Sequence, residues 1–352
     1  MTSGAVGLRR RLSRRPARAY LGLPGWNLGL LALIVITFIW ASAASPKFLD
    51  TNQLLAAGQA EAVTGLLALG LCLVVIVGEI DISLTSNLAM CTVVAGILGK
   101  HGGSAVAIVL ATVATGVVLG TINGLLVAAA GMPSLAVTLG TMGAFQGAAF
   151  LIGGNTGYTK FPSAVENIGN GYVGQIPIAL IVFAALAVLF SLTLGLTRLG
   201  RAWYAIGRAS EVVRRSGWSI VGPKLIAFVL AGFSAGVAAL VFVGYYGSGG
   251  GDSASGTILL VVTAVALGGL DIYGGSGRIT GVVLALVLLA ALQNGMGLIN
   301  VSTTIQTIVI GVLLIASLAV SNALGGGQWT SRLRASLVSR RRTERTSGTT
   351  DR

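Results

Sequence analysis

Few residues in this chain can do chemistry, and the acidic ones are the most telling because only ten occur in 352. Glu61, Glu79, Asp81 and Asp271 fall inside or at the rim of apolar stretches, where an ionisable group is expensive and marks a path, a relay or a fixed turn. Glu61 has no second ionisable residue one helical turn away, which favours a buried polar contact to a neighbouring helix over a proton site. Asp81 lies in Gly78-Glu79-Ile80-Asp81-Ile82-Ser83-Leu84. Two readings of it stand open: an anion at the start of the next helix, with Ser83 or Asp81 as N-cap, fixing a break that shifts during transport, or the cap alone. Asn123, Thr138, Thr141, Gln146, Asn155, Gln293 and Asn294 are amides and hydroxyls within or beside the apolar stretches. They suit either a path for a hydroxyl-rich solute or hydrogen bonds between helices.

Catalysis finds no foothold. His101 is the single histidine, sits beside Gly102 and Gly103, and has no acid or serine constellation near it in sequence, so no nucleophile–base pair is assigned and no enzyme is expected. Cys72 and Cys91 lie inside apolar runs and make neither a disulfide framework nor metal-site spacing. The pairs Gly153-Gly154, Gly268-Gly269 and Gly274-Gly275 are not followed by the lysine of a Walker loop, so this chain holds no nucleotide by that route. No metal or cofactor is assigned to it.

The elements that must position these residues are membrane helices. Hydrophobic residues make up 54% of the chain, charged ones 9%, and the mean hydropathy is +0.89, whereas soluble domains carry roughly a quarter charged residues. The expected fold is an all-α integral membrane protein with about ten transmembrane helices, at 28–44, 54–77, 84–98, 104–130, 132–152, 175–197, 225–244, 257–270, 279–299 and 303–321. The segments 84–98 and 257–270 are short and glycine-flanked, and each reads as a full span or as a broken or re-entrant helix. The stretch Gly78 to Ile82 is echoed by Gly268 to Ile272, as two similar helix-end turns would be. Ala41-Ser42-Ala43 fits a signal-peptidase site, but the preceding apolar run is long enough to be a retained anchor.

A net charge of +13 would suit nucleic acid, were nineteen of the 23 cations not gathered in three clusters. One precedes the first apolar stretch, one occupies the central loop, and one follows the last stretch. Excess Lys and Arg mark the cytoplasmic side, so both termini and the loop are expected there, with lipid head groups as counter-charge and no nucleic acid. The chain then divides into a basic tail at 1–24, a polytopic body at 25–324 with its loop at 198–224, and a second basic tail at 325–352. In the loop, Gly207 and Gly217 are expected to bracket Ala209 to Ser216 as one short helix between two sharp turns. That shape suits a protein cleft, and an interfacial helix on anionic lipid is the competing reading.

From about residue 50 to 320 the sequence resembles the permease subunits of bacterial ABC importers of the ribose/xylose type, in the branched-chain permease superfamily. Four stretches carry the resemblance in order: Gly78 to Ser83; Pro133 with Thr138 to Met142; Thr197, Gly200, Arg201 and Tyr204 to Gly207 ahead of Ser216-Gly217; and Gly268, Gly269, Gly274, Gly275 and Gly277. It implies a pore-forming subunit of the bacterial plasma (inner) membrane for a sugar or sugar-like solute, paired with a second permease copy or a paralogue. Two cytoplasmic ATPase subunits would bind the ATP, and an extracytoplasmic solute-binding protein would deliver the solute. Gly200, Arg201, Tyr204, Gly207, Arg208, Glu211, Ser216 and Gly217 would form the loop that couples to the ATPase, and Glu61, Asp81, Asn123, Thr138, Thr141, Gln146 and Asn294 are the candidate path. Two departures, Glu79 in place of a small residue and Thr257-Ile258-Leu259-Leu260 in place of a glutamate, point to a branch such as a deoxy-sugar or sugar-like signal. The rival reading from the residues alone is an ion-coupled secondary transporter built around Glu61 and a break at Asp81.

Overall fold

The computed structural model describes residues 24–324; the two arginine-rich tails lie outside the described residues, apart from Pro24 at the start of the first helix. The described elements are α1 (Pro24–Ala44), α2 (Thr51–Ile76), α3 (Leu84–Lys100), α4 (Ala105–Gly124), which runs on through one π-helical turn (Leu125–Ala129), and α5 (Ser134–Gly153). Then come α6 (Ser163–Asn170), the antiparallel hairpin β1 (Tyr172–Val173) and β2 (Ile176–Pro177), α7 (Ile178–Leu196), and α8 (Arg198–Arg215). The chain continues with α9 (Val221–Tyr246), α10 (Ile258–Leu267), α11 (Ile279–Leu298) and α12 (Thr303–Leu324). The short α6 and the hairpin, which hydropathy does not mark, fill the connection between α5 and α7.

Among the described residues, eight helices are long and apolar enough to cross a membrane: α1, α2, α4 with its extension, α5, α7, α9, α11 and α12. The two shorter apolar helices, α3 and α10, fall at the two segments expected to be short. With 10 residues, α10 rises only about 15 Å, half of the roughly 30 Å hydrocarbon core. Its segment is therefore a broken helix, completed by non-helical chain before Ile258 and after Leu267. Helix α1 runs unbroken through Ala41-Ser42-Ala43, with Ala41 fully buried in a cluster with Phe48 and Ala291.

Two 26-residue helices, α2 and α9, make the centre. From Ala62 to Ile76 every residue of α2 is buried, as a helix that is apolar all round must be. Helices α1 and α12 are the most peripheral of the crossing helices, with 11% of their apolar windows buried. Small residues let the centre close: Gly70 of α2 faces Ser234 and Ala231 of α9, and the Ser234 hydroxyl donates to the Leu66 carbonyl. The tightest crossing is α4 on α9, where Gly116 and Gly120 meet Gly232 and Gly236 backbone to backbone. A Cβ on Gly120 would stand 2.9 Å from the Gly232 Cα, so this crossing exists only while both sides lack side chains.

Gly120→Leu should separate α4 from α9 and destabilise the fold by at least about 1–3 kcal/mol through overpacking. A clear fall in the thermal midpoint of the detergent-solubilised protein checks this. Gly140→Ala, whose added carbon would meet nothing within 4 Å among the described residues, is expected to melt like the wild type.

Candidate functional site

Helix α8 is built to lie along the bundle end. The Thr197 hydroxyl accepts from the Gly200 amide at 3.0 Å and starts it, the N-cap role its chemistry favours. Its apolar face is consumed by the protein: Trp203 is fully buried and donates its indole N–H to the Pro223 carbonyl at 2.7 Å, and Ile206 is buried beside it. The Tyr204 hydroxyl donates to the Gly277 carbonyl at 2.9 Å, and Arg208 Nε donates to the Gly275 carbonyl at 2.9 Å. The sharp turn expected at Gly207 is not there. The bend falls at Ala209 (φ −162°, ψ 71°), while Gly207 is the point where α8 touches the Ile76 carbonyl and Gly275, leaving no space for a Cβ. The second expected turn is present, with Gly217 at φ +83°.

The residues singled out in this loop therefore divide into two groups. Gly200, Tyr204, Gly207 and the guanidinium of Arg208 face the bundle, whereas Arg201, Glu211, Ser216 and Gly217 are exposed with Val212, Arg214, Arg215 and Trp218. The Glu211–Arg214 pair at 2.8 Å is exposed on both sides and contributes little by itself.

A second assembly pins the α2–α3 turn. Gly78 takes φ +88°, a left-handed conformation suited to glycine. Asp81 is buried, and its Oδ1 accepts from the Ser83 amide at 2.9 Å and the Ser83 hydroxyl at 2.6 Å. Asn123 of α4 donates to that hydroxyl at 2.7 Å, while the Ile80 amide and carbonyl are met by Ser134 and Thr138 of α5 at 3.2 and 3.3 Å. Asp81, Asn123 and Thr138 thus converge, yet on a closed turn instead of an open path. Ser83 precedes α3 without a side-chain cap, so the carboxylate holds the turn itself.

The third assembly replaces helix at the broken span. Gly249, Gly250, Gly251, Ser253 and Ala254 are buried, so their backbone groups need protein partners. Gly249 exchanges two backbone hydrogen bonds with Tyr158, at 2.8 and 3.0 Å. Thr92 of α3 bonds the Ser253 hydroxyl and lies 3.2 Å from the Gly250 carbonyl, and Gln146 of α5 donates to the Gly251 carbonyl. Thr141 stays within α5, its hydroxyl 3.4 Å from the Thr138 carbonyl, and Asn155 is exposed beyond that helix.

A fourth set joins α2 to α11. Gln293 donates to Glu61 Oε1 at 2.6 Å and Gln53 to Asn294 Oδ1 at 2.7 Å. Glu61 Oε2 and Asn294 Nδ2 are buried with no hydrogen-bond partner among the described residues. Gln293 also lines a cleft of about 120 Å³ between α10, α11 and α12, with Gly256, Leu259, Thr303, Gln306 and Thr307. Sequence reasoning missed Trp203, Thr92, Ser253, Gln53 and Gln306. It noticed Glu79 as a membrane-edge acid and as a departure from a motif, without a partner; the structure pairs Glu79 with Lys224 at the start of α9.

Burial at the loop end pushes the Tyr204 phenol from 10 up to about 12. Its folded-state pKa is raised, so the Tyr204 contribution to α8 docking is complete below pH 10 and fades as pH rises toward about 12. Exchange protection of residues 198–208 is expected to stay constant from pH 6 to about pH 9 after correction for intrinsic rates, and Tyr204→Phe should lower it by about 0.5–1.5 kcal/mol, one neutral hydrogen bond.

The family described as branched-chain amino acid transport system / permease component matches residues 59–318, from within α2 to within α12. The chain is 34% identical over 267 residues to the autoinducer 2 import system permease protein LsrD of Yersinia pseudotuberculosis serotype O:3 (strain YPIII), covering 74% of this chain and 80% of that protein. It is 33% identical over the same length and shares to the protein of that name from Photorhabdus laumondii subsp. laumondii. No solved structure matches the chain. The family is one of transport permeases and not an enzyme class. With the matched range spanning the central helices, the α2–α3 turn, α8 and the broken helix, this chain belongs to the branched-chain amino acid transport system / permease component family, as a multi-pass protein of the bacterial inner membrane.

Proposed function

We propose that this permease forms the translocation path of an ATP-driven importer for a sugar or sugar-like solute and docks its ATPase subunits through α8. The observation that carries the docking is the division of α8 into two faces. A helix resting on lipid turns its apolar face to the bilayer, but here Trp203 and Ile206 are spent on the protein itself. The free side presents Arg201, Glu211, Arg214 and Arg215 around Val212 and Trp218, which are 66% and 65% exposed. Aromatic and aliphatic anchors ringed by charge are the composition of a protein-binding patch. The same end carries Arg198, Arg208 and Lys224, which by the positive-inside rule is the cytoplasmic one. The arginine-rich tails at 1–24 and 325–352 belong on that side as well, next to anionic lipid head groups. An even number of crossings, whether eight or ten, returns the chain there.

The solute path is the face made by α5, the 247–257 segment, α10 and α12. Gly140, Gly143 and Gly147 of α5 present no side chain, and a Cβ on any of them would meet nothing within 4 Å among the described residues. A second permease copy or a paralogue completes this face, and an extracytoplasmic solute-binding protein feeds it. Amides and hydroxyls of Gln146, Gln293, Thr303, Gln306 and Thr307 suit a neutral hydroxylated solute. The relatives named for autoinducer 2 import support the branch of sugar-like signal molecules suggested by Glu79 and Thr257 to Leu260.

An ion-coupled carrier would need Glu61 as a working ion or proton site. Its contact is Gln293, a neutral amide on a packed helix, which supports the structural role. Glu61→Gln is expected to leave uptake of autoinducer 2 into cells within about twofold of wild type; loss of gradient-driven uptake would favour the carrier. Because Arg208 also holds Gly275, the docking patch is better tested by Val212→Asp and Trp218→Ala. Each should weaken ATPase retention by about 2 kcal/mol or more, roughly 30-fold in affinity, read as co-purification in mild detergent. Wild-type retention in both variants would remove the docking assignment.

A further inference from the structure

Three backbones meet beneath α8 with no side chain between them: the end of α2 at Gly78, α8 at Gly207, and the 268–277 loop at Gly274 and Gly275. A Cβ on Gly274 would stand 2.5 Å from the Gly78 Cα and 3.2 Å from the Gly207 Cα. The Gly275 amide donates to the Ile76 carbonyl at 2.8 Å while the Gly275 carbonyl accepts from Arg208. Contacts this close leave little slack for one backbone to move without the others.

The chain leaving α8 returns to the same point. Trp203 holds Pro223 through its carbonyl, and the next residue, Lys224, donates to Glu79, the residue immediately after Gly78. The two side chains are 16% and 13% exposed. In such a setting the pair is held by mutual need, because removing one partner leaves the other charge largely desolvated. Beyond Glu79, Ile80 is bonded on both sides to Ser134 and Thr138 of α5, and Asp81 is joined through Ser83 to Asn123 of α4.

We infer that the Glu79–Lys224 ion pair is a positioning contact that carries displacement of α8 into the 78–83 turn and from there into α5, at the edge of the solute path. This rests on the docking reading proposed above. On this reading the pair acts by making the docking helix, the start of α9 and the turn move as one body. Two elements biased by one contact constitute coupling only if a double substitution shows it.

The test uses the permease with its ATPase subunits in lipid nanodiscs, with hydrogen exchange followed with and without ATP, in wild type, Glu79→Gln, Lys224→Gln and the charge-reversed pair Glu79→Lys with Lys224→Glu. The single variants are expected to keep the ATP response of residues 198–217 while the response of residues 134–146 falls about fivefold, a coupling effect of ordinary size. The reversed pair should recover it to within about twofold. Wild-type α5 responses in the single variants, or a reversed pair no better than they are, overturn the inference. In the permease alone, amides 78–83 should exchange faster in both single variants and slow again in the reversed pair; unchanged exchange there also overturns it. A wild-type permease that retains no ATPase overturns the docking assignment alone, since the comparison in the free permease needs no partner.

Discussion

Everything unusual in this fold follows from one constraint: within a bilayer each backbone N–H and C=O must find its partner inside the protein. The chain leaves helical geometry around residues 77–83, 247–257 and 268–278, and in each case neighbouring helices or loops supply hydrogen bonds in place of helical ones. Ser134 and Thr138 serve the backbone of the first, with Asn123 on the Ser83 hydroxyl, while Thr92, Gln146 and Tyr158 serve the second. Tyr204 and Arg208 serve the third together with the Ile76 carbonyl. The polar residues of the apolar stretches are thus largely committed to holding breaks, which is why so many of them converge on turns instead of on an open channel.

The same breaks concentrate the glycines. Lipid gives helices little hydrophobic reason to associate, so close backbone approach and dispersion contacts decide which surfaces pair. At α4 and α9 this produces a fixed crossing. Beneath α8 it joins three segments of different origin, so that the basic loop is bound to the interior of the bundle and not laid over it. Covering is uneven, however. Among the described residues, helix α5 shows a stripe of glycines with nothing against them, and α12 is largely bare, while α10 packs on α2 and α11 as well as on α12. This is the part of the molecule least committed to itself, and it is where the solute path is proposed.

Charge is used sparingly and at depth only in company. Glu61 has Gln293, Asp81 has Ser83 with Asn123 behind it, and Glu79 has Lys224. Of these only the last joins opposite charges, and it sits at the end of the bundle where α8 docks. The exposed Glu211–Arg214 pair on the far side of that helix is of another kind and contributes little by itself.

Hydropathy alone determined the class of protein, the placing of its apolar helices and the two that would be short, because the length and polarity a bilayer demands are local properties of the chain. Motif order determined the family, and the clustering of arginines picked out the central loop. The tertiary structure decided the partners. Glu61 meets Gln293 across 232 residues, and Lys224 meets Glu79 across 145; no periodicity encodes such pairings, since they depend on which faces of two helices pack. It also moved the bend of α8 from Gly207 to Ala209. In sequence a glycine reads equally as a turn or as a close contact, and only the backbone lying against Gly207 says which.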